Sequence, residues 1–145
     1  MSPLPLIAID TNVFVYAAGL RRVEADETKI AIAGPLIADL AIAGNLSVAA
    51  QVFAELHCVL IRRMRLSSVD ADTIVTEYIK AAAVVATTDA LLTNAFDLAS
   101  RHNLQTYDAI ILAAAAASRC DILYSEDMQA GFVWRGVEVV NPFAT

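Results

Sequence analysis

Short apolar runs alternate along this chain with longer stretches of helical periodicity. Leu4 to Ile9 is apolar apart from one proline and breaks off at Asp10-Thr11-Asn12, as a buried strand does on leaving its sheet. Val13 to Ala18 then suits a short helix stopped near Gly19. Glu24 to Ala43 has helical pattern with an interruption at Gly34-Pro35, and Gly44-Asn45 ends it. Leu46 to Ala49 fits a second strand, and Gln51 to Arg65 a strong helix. Ser67-Ser68 and Asp70 open another helix, running to about Lys80. Ala83 to Ala86 fits a strand, and Thr87, Thr88 or Asp89 caps a helix reaching Arg101 and His102. Asp108 to Ser118 predicts a further helix. Ile122 to Tyr124 and Val137 to Val140 complete the strands.

Strands alternating with helices predict an α/β fold, a three-layer α/β/α sandwich with a central, mostly parallel sheet. In such sheets ligands sit beyond the C-terminal ends of the strands. Two of the predicted strands, Leu4 to Ile9 and Ile122 to Tyr124, run into acids there. A length of 145 residues fits one domain, taken as residues 1–145.

The apolar share of 58% is high, yet charges break it up and leave no stretch of membrane-spanning length. The first ten residues lack Lys and Arg, unlike a secretory leader, so the expected location is the cytoplasm. Cys58 and Cys120, without metal-ligand spacing, are expected to be small buried hydrophobes. A net charge of −6 suits a nucleic-acid partner poorly unless the acids hold a divalent ion, which reverses the local sign.

Candidate chemistry therefore lies with the acids. Asp10 suits a helix cap or a site, and Asn12 stands close enough to orient its carboxylate. Glu55 falls at the edge of the apolar stripe formed by Val52, Leu56, Val59 and Leu60. Asp108 opens a very apolar helix, where the helix dipole favours a carboxylate. After Tyr124, Asp127 is the favoured acid, with Glu126 in reserve and Ser125 able to hydrogen-bond a neighbouring carboxylate. Carboxylates gathered in a cleft repel one another, and Mg²⁺ or Mn²⁺ relieves this. Such an ion activates water and offsets charge on a phosphoryl oxygen. Arg62, Arg63 and Arg65 suit a helix C-terminus or phosphate contact, and Arg21 and Arg22 the same contact from a loop. His57 and His102 are expected to be packed or surface residues.

Five strings occur in one order: Ile7-Ala8-Ile9-Asp10-Thr11-Asn12, Gln51-Val52-Phe53-Ala54-Glu55, Tyr107-Asp108-Ala109-Ile110-Ile111-Leu112-Ala113-Ala114-Ala115, Leu123-Tyr124-Ser125-Glu126-Asp127-Met128 and Gly136-Val137-Glu138-Val139-Val140-Asn141-Pro142-Phe143. Together they span nearly the whole chain, which resembles the PIN-domain ribonucleases and, more narrowly, the VapC-like toxins of type II toxin–antitoxin pairs. The resemblance implies an endoribonuclease using Mg²⁺ or Mn²⁺. It implies an acidic site of Asp10, Glu55, Asp108 and Asp127, with Asp10, Asp108 and Asp127 on the metal and Glu55 as a ligand or proton acceptor. Asn12 and Ser125 would support it. The implied partners are RNA, a VapB-like antitoxin and a second copy in a homodimer, with no membrane. The rival expectation is a non-catalytic protein-binding module on the same fold. A phosphoaspartate phosphatase would need an acid where Asn12 stands, and a phosphorylation receiver a late lysine, whereas the lysines are Lys29 and Lys80.

Overall fold

The computed structural model describes residues 4–19 and 26–144. Arg21, Arg22 and Glu24 lie outside them. Along the chain run β1 (Ile7–Ile9), α1 (Thr11–Ala17), α2 (Asp26–Ala43), β2 (Leu46–Ala49), α3 (Ala50–Arg62), α4 (Ser68–Ala81), β3 (Ala83–Val85), α5 (Asp89–His102), α6 (Thr106–Ala117), β4 (Ile122–Tyr124), β5 (Val133–Trp134) and β6 (Val137–Val140). The six strands form one sheet in the order β3-β2-β1-β4-β6-β5. All neighbouring pairs are parallel except β5 with β6. Helices flank this sheet, as the alternation of strands and helices predicts. No described helix is long and apolar enough to cross a membrane.

Burial explains the order. All four residues of β2 are buried, as a strand covered on both faces requires, whereas β3 at the sheet edge is mostly exposed. Ala109 to Ala115 of α6 are buried throughout, so this helix is apolar all round and sits inside the core. Phe14, Val48, Val52, Leu56, Leu60, Leu112 and Leu123 join it in one cluster. Each large side chain removed from water there contributes about 1.5–3 kcal/mol.

The polar punctuation behaves as its chemistry dictates. Ser67 Oγ accepts from the Asp70 amide, and Thr88 Oγ1 from the Leu91 amide, capping α4 and α5. Asn103 stops α5 in the left-handed region, with φ 54°.

Four expectations need correction. The helix containing Pro35 continues unbroken from Asp26 to Ala43. Proline there removes a single i→i−4 bond, and Ala31, whose carbonyl loses it, is exposed to water. The helix carrying Glu55 ends at Arg62, and Arg65 follows in the left-handed region with φ 58°. The Asp108 helix starts earlier, at Thr106, which places Asp108 within its first turn. Cys58 is exposed while Cys120 is buried.

Candidate active site

Beyond the C-terminal ends of β1, β2 and β4 lies an open pocket of about 590 Å³, a ligand-sized volume. Its lining includes Asp10, Thr11, Asn12, Gln51, Glu55, Arg63, Gln105, Tyr107, Asp108 and Asp127. The four acids singled out in the sequence therefore share one pocket, although they lie up to 117 positions apart (Asp10 to Asp127).

The sheet fixes the first of them. The Asp10 amide donates to the Tyr124 carbonyl at 2.9 Å, and the Ser125 amide to the Val140 carbonyl at 3.0 Å. The first bond ties the end of β1 to β4 and the second ties the end of β4 to β6, so the three strand ends lie side by side. Asp10 then turns into α1 and accepts from the Thr11 amide through Oδ1 at 2.7 Å. Its Oδ2 accepts from Ser125 Oγ at 2.8 Å, and Ser125 Oγ also accepts from the Met128 amide at 3.2 Å. Ser125 thus ties the loop after β4 to the carboxylate that ends β1, and both residues are buried.

Glu55 reaches the pocket from α3. Thr11 Oγ1 donates to its Oε2 at 2.8 Å, and Gln51 Nε2 to its Oε1 at 3.3 Å. Asp127, exposed at the rim, accepts through Oδ2 from Asn12 Nδ2. Asn12 therefore orients Asp127 and not the carboxylate of Asp10, because α1 turns the side chain toward the loop after β4. Glu126 is engaged elsewhere. Tyr16 O–H donates to its Oε1 at 3.0 Å, and the Lys29 ammonium pairs with its Oε2. It does not line the pocket, so of this adjacent pair Asp127 is the residue presented there.

The electrostatics follow first from burial and then from crowding. Burial pushes the Asp10 carboxyl from 3.8 up to about 6. The bonds from Ser125 and the Thr11 amide oppose that rise, while the charges of Asp108 and Glu55 add to it. Asp108 is also raised, first by burial and then by Asp127 and Glu55. Each of these two acids feels two others, so the four act as one repelling group. Arg63 is the one cation among the described residues lining the pocket.

Each carboxylate with a strong neighbouring donor leans toward it: Asp10 to Ser125, Glu55 to Thr11, and Asp127 to Asn12. Among the described residues, no three Asp, Glu, His or Cys side chains are gathered closely enough to enclose an ion in these positions.

Of the arginines picked out from the sequence, Arg63 lines the pocket. Arg62 occupies the last position of α3 and Arg65 lies beyond it, and neither is in the lining. Arg21 falls outside the described residues. His57 Nε2 meets Asp72 Oδ1 at 2.6 Å, and the His102 ring packs edge-on to Phe132 at 5.3 Å, and neither histidine lines the pocket.

Sequence reasoning overlooked Thr11, Gln51, Gln105 and Tyr107. Thr11 was signalled by its place between two site candidates. Gln51 lies one helical turn before Glu55, a spacing that brings their side chains together. Gln105 and Tyr107 flank the start of a helix already marked by Asp108.

The PIN-domain family model matches residues 7–130. Among solved structures, the chain is similar to the VapC20 toxin of Mycobacterium tuberculosis, described as cleaving the sarcin-ricin loop. The TM-score is 0.65 at 20% identity, over 83% of this chain and 89% of that one. It is also similar to VapBC2 of Rickettsia felis, solved with a DNA fragment from its promoter. There the TM-score is 0.62 at 14% identity, over 83% of this chain and 86% of the other. No curated protein matches by sequence. At these identities the structures establish a shared fold, and with the family model running through all four acid-bearing segments the chain belongs to the PIN-domain family.

Proposed function

We propose that this chain is a metal-dependent endoribonuclease, the toxin of a VapBC-type pair, acting as a single PIN-like domain over residues 1–145. The observation that carries this reading is the convergence of Asp10, Glu55, Asp108 and Asp127 on one pocket at the C-terminal edge of the sheet. The described relatives, one a toxin that cleaves the sarcin-ricin loop and the other a VapBC pair, point the same way.

The residues fit a hard divalent ion by their chemistry. Four carboxylates face one pocket, and two of them, Asp10 and Asp108, are held above their ordinary pKa first by burial and then by the charges of neighbouring acids. Asp10, Asp108 and Asp127 would hold Mg²⁺ or Mn²⁺. A bound ion would supply a more acidic water and offset charge developing on phosphoryl oxygens. The chain's own groups do the rest. Ser125 fixes the Asp10 carboxylate, and Asn12 fixes that of Asp127. Glu55, steadied by Thr11 and Gln51, stands ready as a further ligand or to accept a proton from attacking water. Arg63 contacts the RNA backbone where it enters the pocket, with Arg62, Arg65 and Arg21 as outer contacts in the same role.

An antitoxin segment covering this groove, a homodimer as the working form and a cytoplasmic location complete the proposal. Purified chain freed of any co-purifying partner should cleave RNA with Mn²⁺ or Mg²⁺ and stop with EDTA. Folded protein that leaves every RNA intact under both conditions would transfer the proposal to a protein-binding module on the same fold.

A further inference from the structure

Tyr107 stands out at the mouth of the acid pocket. Its side chain is 60% exposed, although α6 immediately beyond it is buried from Ala109 to Ala115. Single exposed apolar residues are ordinary on protein surfaces. Phe96 and Val133 are such residues here, and neither lines the pocket. Tyr107 does line it, directly before Asp108. Among the described residues its ring meets no other aromatic ring and its hydroxyl makes no hydrogen bond. It sits in the first turn of a helix packed along α5, so the ring is carried by a fixed backbone and not by a loose loop.

We propose that Tyr107 is a base-stacking residue, which grips the unpaired base of the nucleotide adjoining the phosphate at the acids. The inference rests on the ribonuclease reading and specifies its substrate as RNA with an unstacked base at the cleavage position. Aromatic rings hold single-stranded bases of any identity through their faces. Consecutive helical residues have Cα atoms about 3.8 Å apart and side chains turned about 100° from each other. Asp108 can therefore face the phosphate while Tyr107 takes the attached base. Gln51 and Gln105 line the same pocket and offer uncharged amide donors and acceptors to base edges without adding to its negative charge. A base inside a duplex is already stacked and cannot reach this ring.

The test measures binding of a short single-stranded RNA of mixed sequence, in Mn²⁺, to the Glu55→Gln protein, which keeps Asp10, Asp108 and Asp127 for the ion, with and without Tyr107→Ala or Tyr107→Phe. A further RNA carries one abasic nucleotide beside the cleavage position mapped with wild-type enzyme. Tyr107→Ala should weaken binding about 5- to 150-fold, the range for losing one stacked base, whereas Tyr107→Phe stays within about twofold. The abasic RNA should bind the Tyr107 protein more weakly by a similar factor and show no further loss with Tyr107→Ala. Equal binding by Tyr107→Ala, or an abasic loss that adds in full to it, overturns the stacking role and assigns the exposed ring to a protein partner. If wild type cleaves RNA but Tyr107→Ala binds and cleaves it equally well, the stacking inference alone fails. If wild type neither binds nor cleaves RNA, both readings fall.

Discussion

Two cavities of the same volume, each about 590 Å³, lie at opposite poles of the sheet. One opens beyond the C-terminal strand ends and is lined by four acids with Asn12, Gln51 and Gln105. The other lies where the chain enters β1, β2 and β4 and is lined by Leu4, Pro5, Leu6, Ala43, Gly44, Ser118 and Arg119. Volume does not distinguish them; chain direction does. At the first pole parallel strands deliver successive loops and the N-terminal ends of α1, α3 and α6 to one place, so residues distant in sequence meet there. At the second the chain arrives from helix ends such as Ala43-Gly44 and Ser118-Arg119, which bring backbone carbonyls and few reactive side chains.

Removing one charge at the first pole should have the largest effect. Asp108→Asn should lower RNA cleavage about 10²-fold or more, since an ion ligand or its equivalent is worth several kcal/mol to the reaction. The variant should remain folded, as the substitution changes neither shape nor helix. An initial-rate assay beside a thermal melt checks both statements.

Burying Asp10 beside other acids also costs stability. Asp10 titrates near 6 in the fold against 3.8 in the unfolded chain. Below 3.8 it is protonated in both states and costs nothing. Between 3.8 and 6 the unfolded chain loses this proton first, so stability falls as pH rises. Above 6 the whole penalty, roughly 3 kcal/mol, is present. Asp10→Asn lacks this slope. In EDTA, its stability relative to wild type should increase by up to that amount between pH 3.5 and pH 7.5 in urea unfolding. A difference that does not change with pH would remove Asp10 as the strained group.

A smaller effect is expected where the poles are tied to the core. Ser125→Ala removes the donor to Asp10 and the acceptor for the Met128 amide, both buried. It should cost about 1–3 kcal/mol in urea unfolding and lower cleavage as well. The smallest effect belongs to the second cavity. Arg119→Ala, at an exposed position, should change stability by no more than about 0.5 kcal/mol and leave cleavage as it was.

The contrast between poles also explains what the sequence disclosed. Strands β1, β2 and β4 were legible because largely apolar runs stop at Asp10, Gln51 and Ser125, where the chain leaves the sheet. The caps at Ser67 and Thr88 were legible because hydroxyl capping is local chemistry. Strand β5 escaped notice, since Val133-Trp134 is too short for any alternation to show, and only its antiparallel pairing with Val137 and Glu138 makes it a strand. The continuity of α2 through Pro35 depended on solvent at one carbonyl, which no residue pattern encodes. Convergence of the four acids was implied by family resemblance and not by spacing. The bonds that orient them, Thr11 to Glu55 and Asn12 to Asp127, join different elements and depend on the three-dimensional arrangement.

The proposed function requires the acids at the C-terminal pole to close on one divalent ion. Calorimetric titration of Mn²⁺ at pH 7.5 into wild type, Asp108→Asn and Arg119→Ala tests it most directly. Saturable binding is expected for wild type and Arg119→Ala, with its loss or severe weakening in Asp108→Asn. No saturable binding to folded wild type, or equal binding to all three proteins, would contradict it.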